Sequence, residues 1–247
     1  NHTYGGTKDD HGKDIKLLSD GGFALAGHAS SADLPQSQKS AGGYDCWLLR
    51  TDKDGKLLWN RTYGGAGDDW CHSIVAIKDG GFALAGDASS ANLPQGQKTA
   101  GGSDAWLIRA DKNGTMLWNR SFGGSGKDVA YDVSSVADGG FLLAGVSASV
   151  DLPQGQKSAG GDDGWLVRTD KDGNLLWNRT YGGKGHEDAF APTPLPGGGF
   201  MVTGYTTSTD LPQGQKNAGG ADFWLMRIDD WGHINCAEAG VCAAKEA

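Results

Sequence analysis

Residues 89–128 read SSANLPQGQKTAGGSDAWLIRADKNGTMLWNRSFGGSGKD, and the motifs in this stretch recur through the whole chain. Leu-Pro-Gln, Trp-Leu and Gly-Gly-Phe each occur four times at a spacing of 59 residues, without an insertion. Such self-similarity is typical of solenoids, propellers and repeat arrays, in which each unit buries its faces against its neighbours. We therefore predict one domain over 1–236, built from repeats 1–59, 60–118, 119–177 and 178–236, with a C-terminal tail at 237–247.

The second repeat shows the expected strands. Residues 71–77 and 82–89 are apolar and β-branched segments on either side of a Lys-Asp-Gly-Gly hairpin signal. Strands are also predicted at 104–110 and 116–122, joined by a turn at 111–114. Both faces of the third strand are apolar, as expected of a sheet that lies between two others. The fold class predicted is all-β, a β-propeller of four four-stranded antiparallel blades. A β-solenoid is the alternative, although two hairpin turns make a long solenoid rung.

Composition and charge exclude several classes of partner. The chain has 42 glycines, 9 tryptophans and 7 prolines, which suits many short strands joined by tight turns. A formal net charge of −8 without a basic cluster argues against nucleic acid and anionic membranes as partners. No apolar stretch approaches the roughly 18 residues of a membrane span. The chain begins at Asn1 rather than at a methionine, and we expect a mature, processed form.

The repeat resembles the β-propeller repeats of bacterial and archaeal surface proteins, the SBBP type. Those repeats combine a Ser-rich stretch, a Gly-Gly-x-Asp-Ala-Phe segment, an Asp-x-x-Gly turn and a Gly-Gly-x-Gly-x-Asp close. The corresponding segments here are GGSDAW at 101–106, DKNG at 111–114 and GGSGKD at 123–128, and the similarity covers all four repeats. The resemblance implies an extracellular propeller module from a prokaryotic surface, of a family whose activity is mostly undefined.

Polar residues that recur in all four repeats define a candidate binding surface. In an antiparallel meander, the loop between strands two and three opens on the same side as the connection to the next blade, and we call this side the long-loop face. Its recurring loop residues are Gln36, Gln38, Lys39, Gln95, Gln97, Lys98, Gln154, Gln156, Lys157, Gln213, Gln215 and Lys216. Gln and Asp suit sugar hydroxyls, which predicts a lectin-like surface. In the alternative interpretation these side chains satisfy backbone amides of the loops.

Acidic residues recur at two further positions of the long-loop face. One precedes the first strand and the other starts the third strand: Asp10, Asp69, Asp128, Glu187, and Asp45, Asp104, Asp163, Asp222. The Asp-x-x-Gly turns resemble the beginning of a calcium loop, but no glutamate follows at the required distance, so hairpin turns are predicted instead of a metal site. No cofactor is expected.

Nothing in the sequence indicates catalysis. The six histidines occupy six different repeat positions, that of His2 holding arginine in the other three repeats, and neither a Ser-His-Asp order nor a GxSxG elbow is present. We therefore predict a protein that is not an enzyme and has no catalytic residues. A polysaccharide-active enzyme is the least favoured alternative.

Four sequons lie in one register, at Asn1, Asn60, Asn119 and Asn178. The position falls in strand four, the outermost strand of a blade, where a glycan would project outward and protect the sheet edge. N-glycosylation is therefore predicted at these asparagines. In the alternative interpretation, duplication copied one chance sequon and the asparagines only keep the edge polar.

The four cysteines are predicted to form two disulfides. Pairing Cys46 with Cys71, and Cys236 with Cys242, gives the shortest separations along the chain. Disulfides indicate an oxidising compartment, so we expect a secreted or cell-surface protein. Four unrelated buried thiols are the alternative.

The repeat frame links the two ends of the chain. The fourth repeat ends at residue 236, inside its fourth strand, and residues 1–4 match the second half of that strand as found at 60–63. We expect the N-terminal strand to close the ring on the last blade of the same molecule. Donation to a neighbour, giving head-to-tail assembly, is the alternative. The function predicted is structural or adhesive and capable of self-assembly, with the chain itself or surface glycans as partners.

Overall fold

The computed structural model describes residues 1–97, 99–211 and 217–234. This part of the chain is all-β, with three short 3-10 turns at Pro35–Ser37, Pro94–Gly96 and Pro153–Gly155. The strands are β1 (Asp10–Leu17), β2 (Phe23–Ala29), β3 (Asp45–Thr51), β4 (Leu57–Tyr63), β5 (Asp69–Ala76), β6 (Phe82–Ala88), β7 (Asp104–Ala110), β8 (Met116–Phe122), β9 (Asp128–Ser135), β10 (Phe141–Ser147), β11 (Asp163–Thr169), β12 (Leu175–Tyr181), β13 (Glu187–Pro194), β14 (Phe200–Thr206) and β15 (Asp222–Ile228).

Each repeat folds into one antiparallel meander. Strands β1 to β4 form sheet 1, β5 to β8 form sheet 2, β9 to β12 form sheet 3, and β13 to β15 form sheet 4. A single antiparallel bridge joins Ile228, at the end of β15, to Ile234. The strands predicted in the second repeat are confirmed, and β7 and β8 have the predicted bounds.

Successive sheets pack face to face in sequence order. The face of sheet 1 that carries Ala24 and Leu48 packs against the face of sheet 2 that carries Phe82 and Trp106. In each sheet, we call the face that packs against the following sheet the forward face, and the face that packs against the preceding sheet the rear face. Small residues on the forward face leave room for the large rings of the next rear face, and sheets 2 and 3 and sheets 3 and 4 repeat this arrangement.

The four sheets form an open row. Strands of sheet 4 pack extensively against sheet 3, but within the described ranges no strand of sheet 4 packs extensively against sheet 1. Residues 1–6 form no strand, and the His2 imidazole and Tyr4 hydroxyl instead contact the backbone of Asp54 and Gly55 in sheet 1. The predicted closure of sheet 4 by the N-terminal strand of the same molecule is therefore not observed among the described residues.

A glycine in the second strand of each sheet allows a close crossing of the backbone. A Cβ atom on Gly86 would lie 1.8 Å from the Trp70 carbonyl oxygen, and the equivalent distance is 1.9 Å at Gly27 and Gly145 and 2.0 Å at Gly204. We call the first strand of each sheet its inner strand. The inner strand bulges opposite this glycine, and in sheet 2 the bulge lies between Cys71 and Ser73. The bulge changes the direction in which the side chains of the inner strand point.

One disulfide links the first two sheets. Cys46 in β3 is bonded to Cys71 in β5, and both side chains are buried between sheets 1 and 2. This pairing confirms the prediction for these two cysteines. Cys236 and Cys242 lie outside the described residues.

Candidate functional site

The first glutamine of each described long loop is used by the fold. Gln36, Gln95 and Gln154 have left-handed backbone conformations, with φ between 56° and 57°. Their side-chain amides donate to carbonyls of the neighbouring edge strand, over 3.1 Å in the case of Gln36 and Leu58. The glutamines therefore hold the loop against that strand, as in the alternative interpretation of these residues.

The other predicted binding residues are less involved in the fold. The Gln38, Gln97 and Gln156 side chains are half-buried, and Lys39 and Lys157 are exposed. Lys98, Gln213, Gln215 and Lys216 lie outside the described residues. Sugar binding by the long-loop face stays a prediction.

Three of the four sequon asparagines are buried, which argues against the glycosylation predicted there. The Asn60 side chain has no exposed surface, because its amide accepts from Trp47 Nε1 at 2.9 Å and donates to the Pro35 carbonyl at 3.0 Å. Asn119 and Asn178 make the same contacts and are equally buried. A glycan on any of the three would require the loop and the strand to separate. Asn1 is exposed and stays a predicted glycosylation position.

The recurring acids form buried pairs at the junctions between sheets. Asp104 and Asp128 flank Gly123, where an added Cβ would lie 2.4 Å from an oxygen of the first carboxyl and 2.7 Å from an oxygen of the second. Asp104 Oδ1 is buried without a hydrogen-bond partner, as are the equivalent Asp45 and Asp163 oxygens. Burial, and then the nearby Asp128 carboxylate, raises the pKa of Asp104 to about 6.

These acids predict a specific pH dependence of stability. Because the folded-state pKa of Asp104 lies above the usual value of 3.8, its contribution to stability is complete below pH 3.8 and is lost as the pH rises through 6. Asp104→Asn replaces the carboxylate by a neutral side chain of similar shape. Thermal unfolding should therefore show the variant melting above the wild type at pH 8, with the difference disappearing at pH 4.

Asp111→Asn is the matched control, because it removes an exposed turn carboxylate. Hydrogen bonds from the Thr115 and Asn113 backbone amides lower the pKa of Asp111, so this variant should lose stability above pH 4. A difference for Asp104→Asn that stayed constant from pH 4 to pH 8 would contradict the assignment. The hydrogen bonds also show that these Asp-x-x-Gly segments are hairpin turns, as predicted.

A continuous row of aromatic and histidine rings runs across the inner strands, and sequence reasoning missed it. Adjacent ring centroids are 4.6 to 6.5 Å apart, and we call this set the inner row. Its members are His11, His28, Tyr44, Trp70, His72, Tyr131, Phe190 and Tyr205. The signal that could have found it is variation among the repeats, since the position of Trp70 holds His11, Val129 and Asp188 in the others.

Polar groups accompany the inner row. His72 Nε2 lies 2.9 Å from Asp87 Oδ1, and burial, together with the nearby Asp188 carboxylate, raises the pKa of Tyr205. His28 Nδ1 is buried without a hydrogen-bond partner. Burial, with a smaller effect of Lys13, lowers the pKa of His28 to about 4, so this imidazole is neutral at pH 7.

The forward face of sheet 4 and the first strand of sheet 1 expose positions that are buried at every internal junction. Leu225 on the forward face of sheet 4 is 56% exposed, while its equivalents Leu48, Leu107 and Leu166 are completely buried. Phe223 beside it is 76% exposed. On the rear face of sheet 1, Ile15 is 53% exposed, whereas the equivalent Ile74 is completely buried.

The N-terminal segment lies on the rear face of sheet 1, where Trp47 and Leu49 are buried and Tyr4 packs against their cluster. Tyr4 donates its hydroxyl to the Gly55 carbonyl, as Tyr63 donates to the Gly114 carbonyl in the next sheet. Tyr63 ends the fourth strand of sheet 1 and makes this contact with sheet 2. By the same geometry, residues 1–4 lie where the fourth strand of a sheet preceding sheet 1 would lie.

Comparisons with known proteins leave the family open. No protein-family profile matches the chain. Regulatory protein FlaEY of Caulobacter vibrioides is 30% identical over 168 residues, which is 65% of this chain but only 17% of that protein. No helix in the described residues is long and apolar enough to cross a membrane.

Solved structures with a similar arrangement of sheets include enzymes. A bifunctional GH43-CE protein of Bacteroides eggerthii has a TM-score of 0.43 and 13% identity, with 89% of this chain and 25% of that chain covered. A levansucrase mutant of B. megaterium has a TM-score of 0.42 and 12% identity, with 94% and 68% covered. The prediction that the chain is not an enzyme is corrected on this finding. Similarity at this level assigns no reaction.

Proposed function

We propose that the chain is a structural β-propeller module of a prokaryotic cell surface that assembles head to tail with a second copy of itself. Each sheet acts as one blade, and the forward face of sheet 4 binds the rear face of sheet 1 in the next molecule. The exposure of Leu225, whose three equivalents are completely buried, carries the proposal. The Cys46–Cys71 disulfide and the resemblance to SBBP-type repeats support an extracellular location.

The internal junctions supply the template for the contact between molecules. Three times along the chain, a forward face packs on the rear face that follows it in sequence. The faces at the two ends are one forward and one rear face, so they are complementary to each other and not to themselves. Such heterologous contacts form rings when the rotation closes and filaments when it does not. Two copies would give eight blades, within the usual range for propellers.

The N-terminal segment would complete the fourth strand of the bound neighbour. In sheets 1 to 3 a tryptophan of the third strand donates to an asparagine of the fourth. Sheet 4 has Trp224 at the tryptophan position, but residue 237, at the asparagine position, is alanine in the sequence. Asn1 is in frame to supply the missing amide, and residues 1–4 already lie in the fourth-strand place beside sheet 1. Strand donation adds main-chain hydrogen bonds to the packing of the faces.

Sedimentation of the purified chain under non-reducing conditions tests the proposal. The wild type should form dimers or larger species at tens of micromolar, and Phe223→Lys with Leu225→Lys should be monomeric. The melting temperature of this double variant should not be lower than that of monomeric wild type, because both side chains are exposed in the single chain. Leu117→Lys with Leu176→Lys, at half-exposed positions on other edges, should still assemble. A monomeric wild type, or assembly of the Phe223 and Leu225 variant, would disprove the contact.

A further inference from the structure

The inner row lies at positions that the fold itself leaves free. Positions needed by each blade hold the same residue in every repeat, as the crossing glycines Gly27, Gly86, Gly145 and Gly204 do. By contrast, the position of His72 holds Lys13, Tyr131 and Phe190 in the other repeats. These side chains are not required for a common backbone, yet they meet in one surface. Because the fold does not fix these residues, their side chains are free to contact a ligand.

The rings form a platform rather than a sealed core. The side chains of Tyr44, Trp70, Tyr131 and Phe190 are half-buried, and Tyr205 is 36% exposed. Each ring contacts the next in the row, so the backs of the rings are supported while part of each remains accessible to solvent. Supported aromatic surfaces of this kind bind ligands that have apolar faces of their own.

The polar groups beside the rings suit hydroxyl groups. The Asp87 carboxylate, held by His72, keeps lone pairs free for a further donor, and the Asp188–Tyr205 pair offers the same chemistry farther along. The His28 Nδ1 atom, 2% exposed as a residue and without a partner, is a third polar group among these rings. Closely spaced acceptors and donors at the edges of aromatic rings match a sugar, which presents apolar C–H faces and a rim of hydroxyls.

Charge favours a neutral ligand. The Asp87 carboxylate is paired with His72, and Lys13 lies close enough to His28 to lower its pKa. A site for an organic cation would have carboxylates without a basic partner beside the rings. The cation would then form an ion pair with a carboxylate in addition to its cation–π contact. Burial also raises the pKa of Asp188, which disfavours a further full negative charge beside the rings.

We infer that the inner row is a binding site for a neutral oligosaccharide, which stacks its sugar rings on Trp70, Tyr131 and Phe190. The Asp87 and Asp188 carboxylates bind its hydroxyls. Several rings in succession select an oligosaccharide over a monosaccharide, because one sugar ring covers only part of the row. The inner row adjoins the proposed assembly face at one end, because Tyr205 is the cross-strand neighbour of Phe223.

Titration calorimetry of the full chain tests the site. The probes are neutral hexasaccharides of glucose, mannose, galactose, xylose and N-acetylglucosamine, with tetramethylammonium as the cationic probe. At least one hexasaccharide should bind with a dissociation constant between about 1 μM and 1 mM, and its monosaccharide should bind at least tenfold more weakly. Trp70→Ala should weaken binding by at least tenfold, and Asp188→Asn should weaken it as well.

Trp231→Ala is the matched control, since Trp231 is 64% exposed in the turn after β15, away from the inner row. It should leave the affinity unchanged. Trp70→Phe keeps an aromatic face and should retain most of the binding if the alanine variant fails to fold. Absence of binding to all five hexasaccharides, tighter binding of tetramethylammonium, or unchanged affinity in folded Trp70→Ala would overturn the assignment.

Discussion

Replacing Gly86 with alanine is expected to destabilise the protein by about 4 kcal/mol or more, at the upper end of the range for single substitutions. The new Cβ would lie 1.8 Å from the Trp70 carbonyl oxygen and 2.9 Å from the Cys71 Cα atom. Both are backbone atoms of the bulged inner strand, so no side-chain rotation relieves the contact. Urea unfolding followed by circular dichroism should show a lower midpoint or an unfolded sheet 2.

Gly12→Ala is the matched control for this prediction. Gly12 also lies in an inner strand at a bulge, but a Cβ there would meet no atom within 4 Å. Its free energy of unfolding should stay equal to that of the wild type or rise by up to about 1 kcal/mol, because glycine within a strand is less stable than alanine. Equal midpoints for the two variants would show that the inner strand shifts easily and that the close crossing is not a constraint on the fold.

Removing the disulfide is expected to have the second largest effect. Cys46 and Cys71 are 25 residues apart, and the loop-closure entropy of a cross-link of that length corresponds to about 3.5 kcal/mol. The double variant Cys46→Ala with Cys71→Ala avoids leaving a buried thiol or hydroxyl. Its free energy of unfolding in urea should be lower than that of the oxidised wild type by about this amount.

Reduction of the wild type supplies a second measurement of the same effect. Dithiothreitol should lower the unfolding midpoint of the wild type and leave that of the double variant unchanged. If reduction had no effect on a protein shown by peptide mapping to contain the bond, the packing of sheets 1 and 2 alone would account for stability in that region.

Most of the strand arrangement was predictable, because the 59-residue period aligns four copies of each turn and strand. The bounds of β7 and β8 follow from one apolar run and one Asp-x-x-Gly turn. The burial of Asn60 was not predictable from the same pattern. In β4 the polar Asn60 is buried while the apolar Leu58 is 48% exposed, because the long loop folds over the strand and brings the Pro35 carbonyl to the amide.

The inner row is not predictable from the residues that are identical in all four repeats, because its members differ from repeat to repeat. In a repeat protein, identical residues such as Gln36 and Gln95 solve the same local problem in each copy, here the attachment of a loop to an edge strand. Residues that differ between copies, and still lie together in the structure, do not serve such a shared structural role. His72 and Tyr131 share one repeat position and carry different chemistry into the same row.

The disulfide makes the row of sheets mechanically uneven. Each sheet contacts mainly its neighbours in sequence, so a load applied to the two ends of the chain passes through the junctions one after another. The junction between sheets 1 and 2 has a covalent link, whereas those on either side of sheet 3 depend on packing and hydrogen bonds. Residues 46–71, which the bond closes into a loop, cannot be extended by tension, so sheets 1 and 2 stay tethered to each other even when the packing of the other junctions is lost.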